Sequence, residues 1–458
     1  MFLHKFYFII TVFYILLTFN CIAVEINNCE HKSLTLNNTN KSPNIQPDKR
    51  LEWWQNARFG IFIHWGVYSL LGGEYKGVDY GKEMGGASAE WIFKTAKIPK
   101  NEYREIAQKW NPRNYNPELW CKLAVQAGAK YIVLTAKHHD GLALFNTKSD
   151  DWDVINSTAY GKDIIQQFVN ACRKYKLKVG IYYSQQIDWY RLGLNHKHRL
   201  TDQYKAVLKS HLKTIYHEYK PDLIWFDMGK AGKIADIAYK ITKQIVPNCV
   251  ICGRIGGGYG DYKCMKDRHL PPANNKKNAE TPMTMRLNWG FDKNDKNWKS
   301  PDEIIKMLSI CATRNTNLLL NIGPDGDGEL SKNEINILKS IGSWMKINSD
   351  AIYNTHGTPF NGEFTWGSLT VSNNNKNFFI HIHNKPDNGQ IIIPGVLTHI
   401  SNVFLMTSKE DLECSYTQKN KNLTIQLPEI SFDTVKIIKL SANKPLVFDS
   451  TKGPKPDQ

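Results

Sequence analysis

Between about residue 50 and residue 350 the chain alternates short, nearly wholly apolar runs with helix-like stretches, and this alternation restricts the fold more than any other feature. The apolar runs fall at 59–64, 131–136, 179–183, 223–227, 250–254 and 317–322. Strands apolar on both faces belong to parallel sheets whose crossovers cover them on both sides. Helix-like segments at 117–127, 162–174, 202–219 and 302–314 supply such crossovers. Repeated units of this kind over roughly 300 residues predict an α/β fold of the (β/α)8 (TIM-type) barrel class. A doubly wound nucleotide-binding sheet would carry a GxGxxG turn after its first strand. The cluster Gly256-Gly257-Gly258 comes too late and lacks that spacing.

The period changes in the last quarter of the chain. Leu423, Ile425 and Leu427 alternate with polar neighbours, as do Phe378, Ile380 and Ile382. A period of two with Asn, Asp and Gly turns predicts an antiparallel β-sandwich over 351–450, followed by a tail at 451–458. His381 and His383 share one strand face there and are expected to be structural. The barrel is assigned to 51–350.

At the other end, His4 and Lys5 precede an apolar run at 6–19 and small residues near Ala23, which describes a signal peptide over 1–23. The run falls short of the roughly 20 residues a membrane span needs, so no stable membrane insertion is expected. Residues 24–50 read as a flexible, Asn-rich lead-in. Export makes the sequons at Asn37, Asn40, Asn156 and Asn422 readable as glycan acceptors, and it permits one or two disulfides among the cysteines. Cys249 and Cys252 have CxxC spacing, yet no second pair or His cluster completes a zinc site. The formal charge of +16 is spread over lysines with no arginine-rich block, so a solvated surface is expected and no nucleic-acid partner.

In a barrel, chemistry collects at the carboxyl ends of the strands. Those ends here read Phe62-Ile63-His64-Trp65-Gly66, Lys137-His138-His139-Asp140-Gly141, Tyr182-Tyr183-Ser184, Leu223-Ile224-Trp225-Phe226-Asp227 and Arg254. Aromatic faces beside many hydrogen-bonding groups suit a pyranose, which presents apolar C–H patches and a ring of hydroxyls. A metal held by His138, His139 and Asp140 is disfavoured, because adjacent strand residues point to opposite faces. Retaining glycosidases need two carboxyl groups roughly 5–5.5 Å apart. Asp227 is the expected nucleophile, since an acid closing an apolar strand is costly unless used or paired. Its alternative is a buried salt bridge with Arg254. Glu280 is the expected acid/base, with Asp261 and Asp267 as competitors.

The motifs resemble those of the α-L-fucosidases of glycoside hydrolase family 29. The resemblance rests on Arg58-Phe59-Gly60-Ile61-Phe62-Ile63-His64-Trp65-Gly66, Ala89-Glu90-Trp91, Ala136-Lys137-His138-His139-Asp140-Gly141, Tyr182-Tyr183-Ser184 and Trp225-Phe226-Asp227. It continues through Glu280-Thr281, Trp289-Gly290-Phe291 and Leu319-Leu320-Asn321-Ile322-Gly323-Pro324. It implies a retaining enzyme that releases terminal α-L-fucose from a fucosylated glycan and needs no metal or organic cofactor; the signal peptide makes secretion or lysosomal delivery the expected destination. By the same resemblance Asp227 is the nucleophile and Glu280 the acid/base. His64, Glu90, Trp91, His138, His139, Tyr183, Trp225 and Arg254 would bind the sugar, and Phe62 would face its methyl group. One departure is Asp227-Met228-Gly229, where the family more often has glycine directly after the aspartate. A glycosidase for another sugar and an inactive fucose-binding protein are the alternatives. Oligomeric state stays open, a homo-oligomer included.

Overall fold

A computed structural model describes residues 48–82, 89–195, 201–230, 232–273, 275 and 277–454. The signal peptide, nearly all of the lead-in, and the sequons at Asn37 and Asn40 lie outside the described residues. Eight parallel strands form one curled sheet: β1 Phe59–Ile63, β2 Tyr131–Lys137, β3 Lys178–Ser184, β4 Leu223–Asp227, β5 Val250–Ile251, β6 Lys263–Cys264, β7 Ala279–Thr284 and β8 Thr316–Ile322. Their order is β5-β4-β3-β2-β1-β8-β7-β6, as in a (β/α)8-like barrel. The backbone N–H of Asp261 donates to the Ile251 carbonyl at 2.8 Å, which brings the lead-in to β6 against β5.

The helices begin where short polar side chains can take their free N–H groups. Asn116 caps α1 (Pro117–Ala127), Asp163 caps α2 (Ile164–Lys174), and Thr201 caps α3 (Asp202–Thr214), which runs on into a π-turn at Ile215–Tyr219. After β4, α4 spans Lys233–Ile245. Full capping boxes, Ser300 with Glu303 and Ser331 with Glu334, start α5 (Pro301–Thr313) and α6 (Lys332–Asn348). Two strands were not expected from the sequence. β6 is only two residues long, and β7 reads Ala-Glu-Thr-Pro-Met-Thr, without the apolar run that marks its neighbours. Among the described residues no α-helix joins β5 to β6, where only a 3-10 turn at Gly253–Ile255 occurs, or β6 to β7.

Beyond the barrel lie a six-stranded and a three-stranded sheet, both antiparallel, around a separate apolar core that includes Phe378, Ile380, Leu423 and Ile425. At the seam with the barrel, Ser309 of α5 meets His381 Nδ1 at 2.7 Å and His383 Nε2 at 2.8 Å. Burial holds both imidazoles below their usual pKa, His383 at about 3. All seven described cysteines are free, and among the described residues no helix is long and apolar enough to cross a membrane.

One buried charge network ties the strand ends together. Lys137, wholly buried on β2, reaches Asp188 Oδ2 and the Ile187 carbonyl, both at 3.2 Å, and the Tyr204 hydroxyl at 3.3 Å. Asp188 also takes Arg191 at 2.7 Å. Gly141 closes the motif because a Cβ there would sit 2.3 Å from Asp188 Oδ1, at a φ of +84° that glycine alone adopts freely. Burial alone would raise the Asp188 pKa, but Lys137 and Arg191 outweigh it and hold it at about 2. Its folded-state pKa is therefore depressed, so its stabilisation is present above about pH 4 and is lost as pH falls toward 2. Asp188→Asn strands a buried ammonium, a change that costs about 3–5 kcal/mol in comparable pairs. Lys137→Met leaves Asp188 its Arg191 partner, so denaturant unfolding at neutral pH should show the larger loss for Asp188→Asn.

Candidate active site

The carboxyl ends of β1 to β4, with the loops after β1, β5, β6 and β7, surround one small cavity. Phe62, His64, Glu90, Trp91, His138, His139, Tyr182, Trp225, Asp227, Met228, Arg254, Asp267 and Trp289 line it. A larger cavity of about 1050 Å³ lies at the opposite end of the strands, beside Trp53 and Tyr216. The carboxylate lining it, Asp222, is already taken by Arg173 and Lys178. The chemistry therefore belongs to the smaller site.

Asp227 is the best-held group there. The Tyr182 hydroxyl donates to Oδ2 at 2.8 Å, while the Met228 backbone N–H and the Arg254 guanidinium donate to Oδ1 at 2.8 and 3.1 Å. Arg254 lies over the Trp225 ring, 5.1 Å from its centroid, and its other terminal nitrogen bonds Asp267. The salt bridge weighed as an alternative for Asp227 is thus present, but at the rim of a cavity rather than sealed in the core.

Three imidazoles face the same space. Asn321 donates through Nδ2 to the Trp289 carbonyl at 2.7 Å, so its Oδ1 accepts the His64 Nδ1–H at 2.7 Å. Ser184 donates to the Ile187 carbonyl at 2.9 Å and accepts the His139 Nδ1–H at 2.7 Å. In both rings the remaining Nε2 carries a lone pair able to accept a ligand hydroxyl. For His139 that nitrogen stands 3.6 Å from Asp227 Oδ2. Burial lowers all three pKa values, His64 to about 4 and His138 and His139 well below the ordinary range. His138 Nδ1 is buried without a hydrogen-bond partner. Glu90 accepts the Gly290 N–H at 3.0 Å, and burial raises its pKa to about 7. Phe62, Trp91, Trp225 and Trp289 form apolar walls.

Two of the expected site residues lie elsewhere. Tyr183 points away from the cavity and bonds His211 Nδ1 at 2.9 Å, while Tyr182 takes the inward position. Register explains it: Tyr182 pairs with Trp225 and Ser184 with Asp227, so these four share the inner face and Tyr183 has the opposite parity. Glu280 sits in the barrel interior below Trp225, fully buried. Tyr131 donates to it at 2.6 Å, and Trp225 Nε1 and the Tyr262 hydroxyl each donate at 2.8 Å. It does not line the cavity, and its pKa is raised by burial. Asp267 does line the cavity, whereas Asp261 is bound to Arg50 away from it. Asp140 accepts from Tyr103 at 2.8 Å outside the cavity, and among the described residues no three His, Cys, Asp or Glu groups converge as metal ligands. Asn321, Ser184 and Met228 were missed. Strand parity would have found the first two, since each lies two residues from an inward group on β8 or β3.

The geometry has counterparts among known proteins. Human plasma alpha-L-fucosidase is 30% identical over 327 residues, covering 66% of this chain and 69% of that one. The alpha-L-fucosidase structure from Vibrio sp. strain EJY3 superposes with a TM-score of 0.81 at 27% identity, covering 88% of this chain and 74% of that one. The Thermotoga maritima alpha-fucosidase solved in complex with fucose gives a TM-score of 0.71 at 26% identity, covering 85% and 96%. A Bacteroides thetaiotaomicron enzyme trapped as a covalent intermediate with 2-fluoro-fucosyl fluoride gives 0.77 at 25% identity, covering 87% and 97%. The family model for alpha-L-fucosidase matches residues 26–350, well over half of the chain, and the chain belongs to that family of glycoside hydrolases, family 29.

Proposed function

We propose that the protein is an exported, retaining α-L-fucosidase that removes terminal α-L-fucose from glycans through a covalent fucosyl-enzyme. The observation that carries this reading is the pairing of Asp227 and Asp267 on the two ends of one guanidinium, at the mouth of an aromatic- and histidine-lined cavity. A retaining pair stands roughly 5–5.5 Å apart, close enough for such a bridge. Export to a secreted or lysosomal destination draws on the apolar run at 6–19 and on relatives described as plasma and tissue enzymes.

Asp227 attacks the anomeric carbon as the glycosidic C–O bond breaks, and Asp267 gives its proton to the departing oxygen. Asp267 then takes a proton from water, whose oxygen displaces the Asp227 ester and releases fucose with retained configuration. An ion pair disfavours a protonated acid. The Arg254–Asp267 contact therefore opens when the leaving sugar enters, while Arg254 keeps Asp227. Tyr182 and the Met228 N–H orient the nucleophile. The neutral His64 and His139 accept sugar hydroxyls without placing a cation beside the developing oxocarbenium. Glu280, with three donors and no access, fixes the Trp225 indole under the sugar.

Three outcomes are expected. Asp227→Gly should lose hydrolysis and, with added azide, form a fucosyl azide of inverted configuration; inactivity without rescue would leave the carboxylate a structural group. Asp267→Gly should lower kcat/KM on alkyl or glycan fucosides by about 10²–10⁴-fold, with a smaller loss on aryl fucosides that need little protonation, and azide should yield the retained product. If Glu280→Gln shows that signature and Asp267→Gly does not, the acid assignment fails. Glu90 is protonated in about half of the free molecules near pH 7, and a carboxylate binds hydroxyls more strongly than a carboxylic acid. Fucose affinity should therefore rise with pH from about 6 to 8, with proton release measurable by calorimetry in buffers of different ionisation heat. Glu90→Gln should flatten that rise.

A further inference from the structure

Met228 follows the nucleophile and has a backbone φ of +57°, the left-handed region. The other non-glycine residues with positive φ among those described are arginines, lysines and asparagines; Met228 is the apolar one. This conformation strains a side-chain-bearing residue and costs glycine almost nothing. A glycine is available one position later, but it is committed: a Cβ at Gly229 would lie 2.1 Å from the Ile255 carbonyl oxygen and 2.3 Å from that of Arg254. The turn thus has two positions suited to glycine and fills one of them with methionine.

The strained backbone has a task, since it aims the Met228 N–H at Asp227 Oδ1, 2.8 Å away. Glycine would perform that task equally well. What glycine lacks is the side chain, and the Met228 side chain is placed where it meets a ligand. The residue is 36% exposed, a large apolar group left open, and it lines the cavity beside Arg254 and Asp267. That is the rim, where the acid stands and where the group attached to fucose must lie. The inner walls are already supplied by Phe62, Trp91, Trp225 and Trp289.

We infer that Met228 is a specificity-determining residue for the leaving group: its thioether packs against the apolar face of the aglycone, whether the C–H face of a second sugar or an aromatic ring. A flexible, polarizable thioether adapts to either surface. Strain held at a functional rim is consistent with such a role. The inference rests on the proposed reaction, and it assigns Met228 no part in binding fucose itself.

The test compares Met228→Gly and Met228→Ala with the parent protein on three substrates: a fucosyl disaccharide, an aryl α-L-fucoside and α-L-fucosyl fluoride, which has no aglycone to contact. In both variants kcat/KM on either of the first two substrates should fall about tenfold relative to kcat/KM on the fluoride, because any effect on the Met228 N–H contact with Asp227 is shared by all three substrates; the removed contact corresponds to about 1.4 kcal/mol. Alanine keeps the backbone cost and removes the thioether, so agreement between the two variants separates side-chain contact from loop flexibility. Equal losses on all three substrates, or no change in their ratio, would overturn the inference. If the parent protein releases fucose from none of them, it is the proposed function that falls.

Discussion

Arg254 stacks on Trp225 and grips Asp227 with one nitrogen and Asp267 with the other, and the mouth of the barrel is organised around that clasp. A carboxylate closing an apolar strand loses much of its hydration, which is costly unless charge and hydrogen bonds replace it. Arg254, Tyr182 and the Met228 N–H provide the replacement. Trp225 supports the guanidinium from beneath, and Glu280 supports Trp225 through its indole N–H. A chain of contacts thus runs from the barrel interior to Asp227. Each member is fixed by the one below it.

The histidines solve a related problem. Three imidazoles beside one carboxylate would titrate near neutral pH if solvent reached them, and each would then present an N–H to the cavity in place of a lone pair. Burial keeps them neutral, and the outer hydrogen bonds to Asn321 and Ser184 decide which nitrogen faces the ligand. The Lys137–Asp188 pair performs a quieter service behind them. It anchors the segment that carries His138 and His139 from the opposite face of the same strand end. The density of the Lys-His-His-Asp-Gly motif follows, because a few residues serve the cavity on one side and the packing behind it on the other.

Much of this was legible in the sequence, and the failures have identifiable causes. Strands with continuous apolar runs, β1 to β4 and β8, were placed within a residue or two. β7 escaped because it is buried throughout yet carries Glu280, Thr281 and Thr284, polar groups with no hydropathy signal. Tyr183 was preferred to its neighbour although parity with Trp225 and Asp227 favours Tyr182, information the sequence held once the register is known. Asp267 is harder. It lies in the irregular stretch between β6 and β7, and only the fold brings it to Arg254.

Glu280 and Asp267 show how differently two nearby carboxyl groups can be held. Both are carboxyl groups within reach of the same aromatic wall. Glu280 is saturated: three donors occupy its two oxygens in a site with no solvent access. Asp267 stands at the cavity rim and shares the Arg254 guanidinium with a second carboxylate, Asp227. A buried acid with a full donor set is a strut for the structure around it. In a barrel such a difference is set by depth along the strand: Glu280 is the second residue of β7, well below the carboxyl end where Asp227 stops.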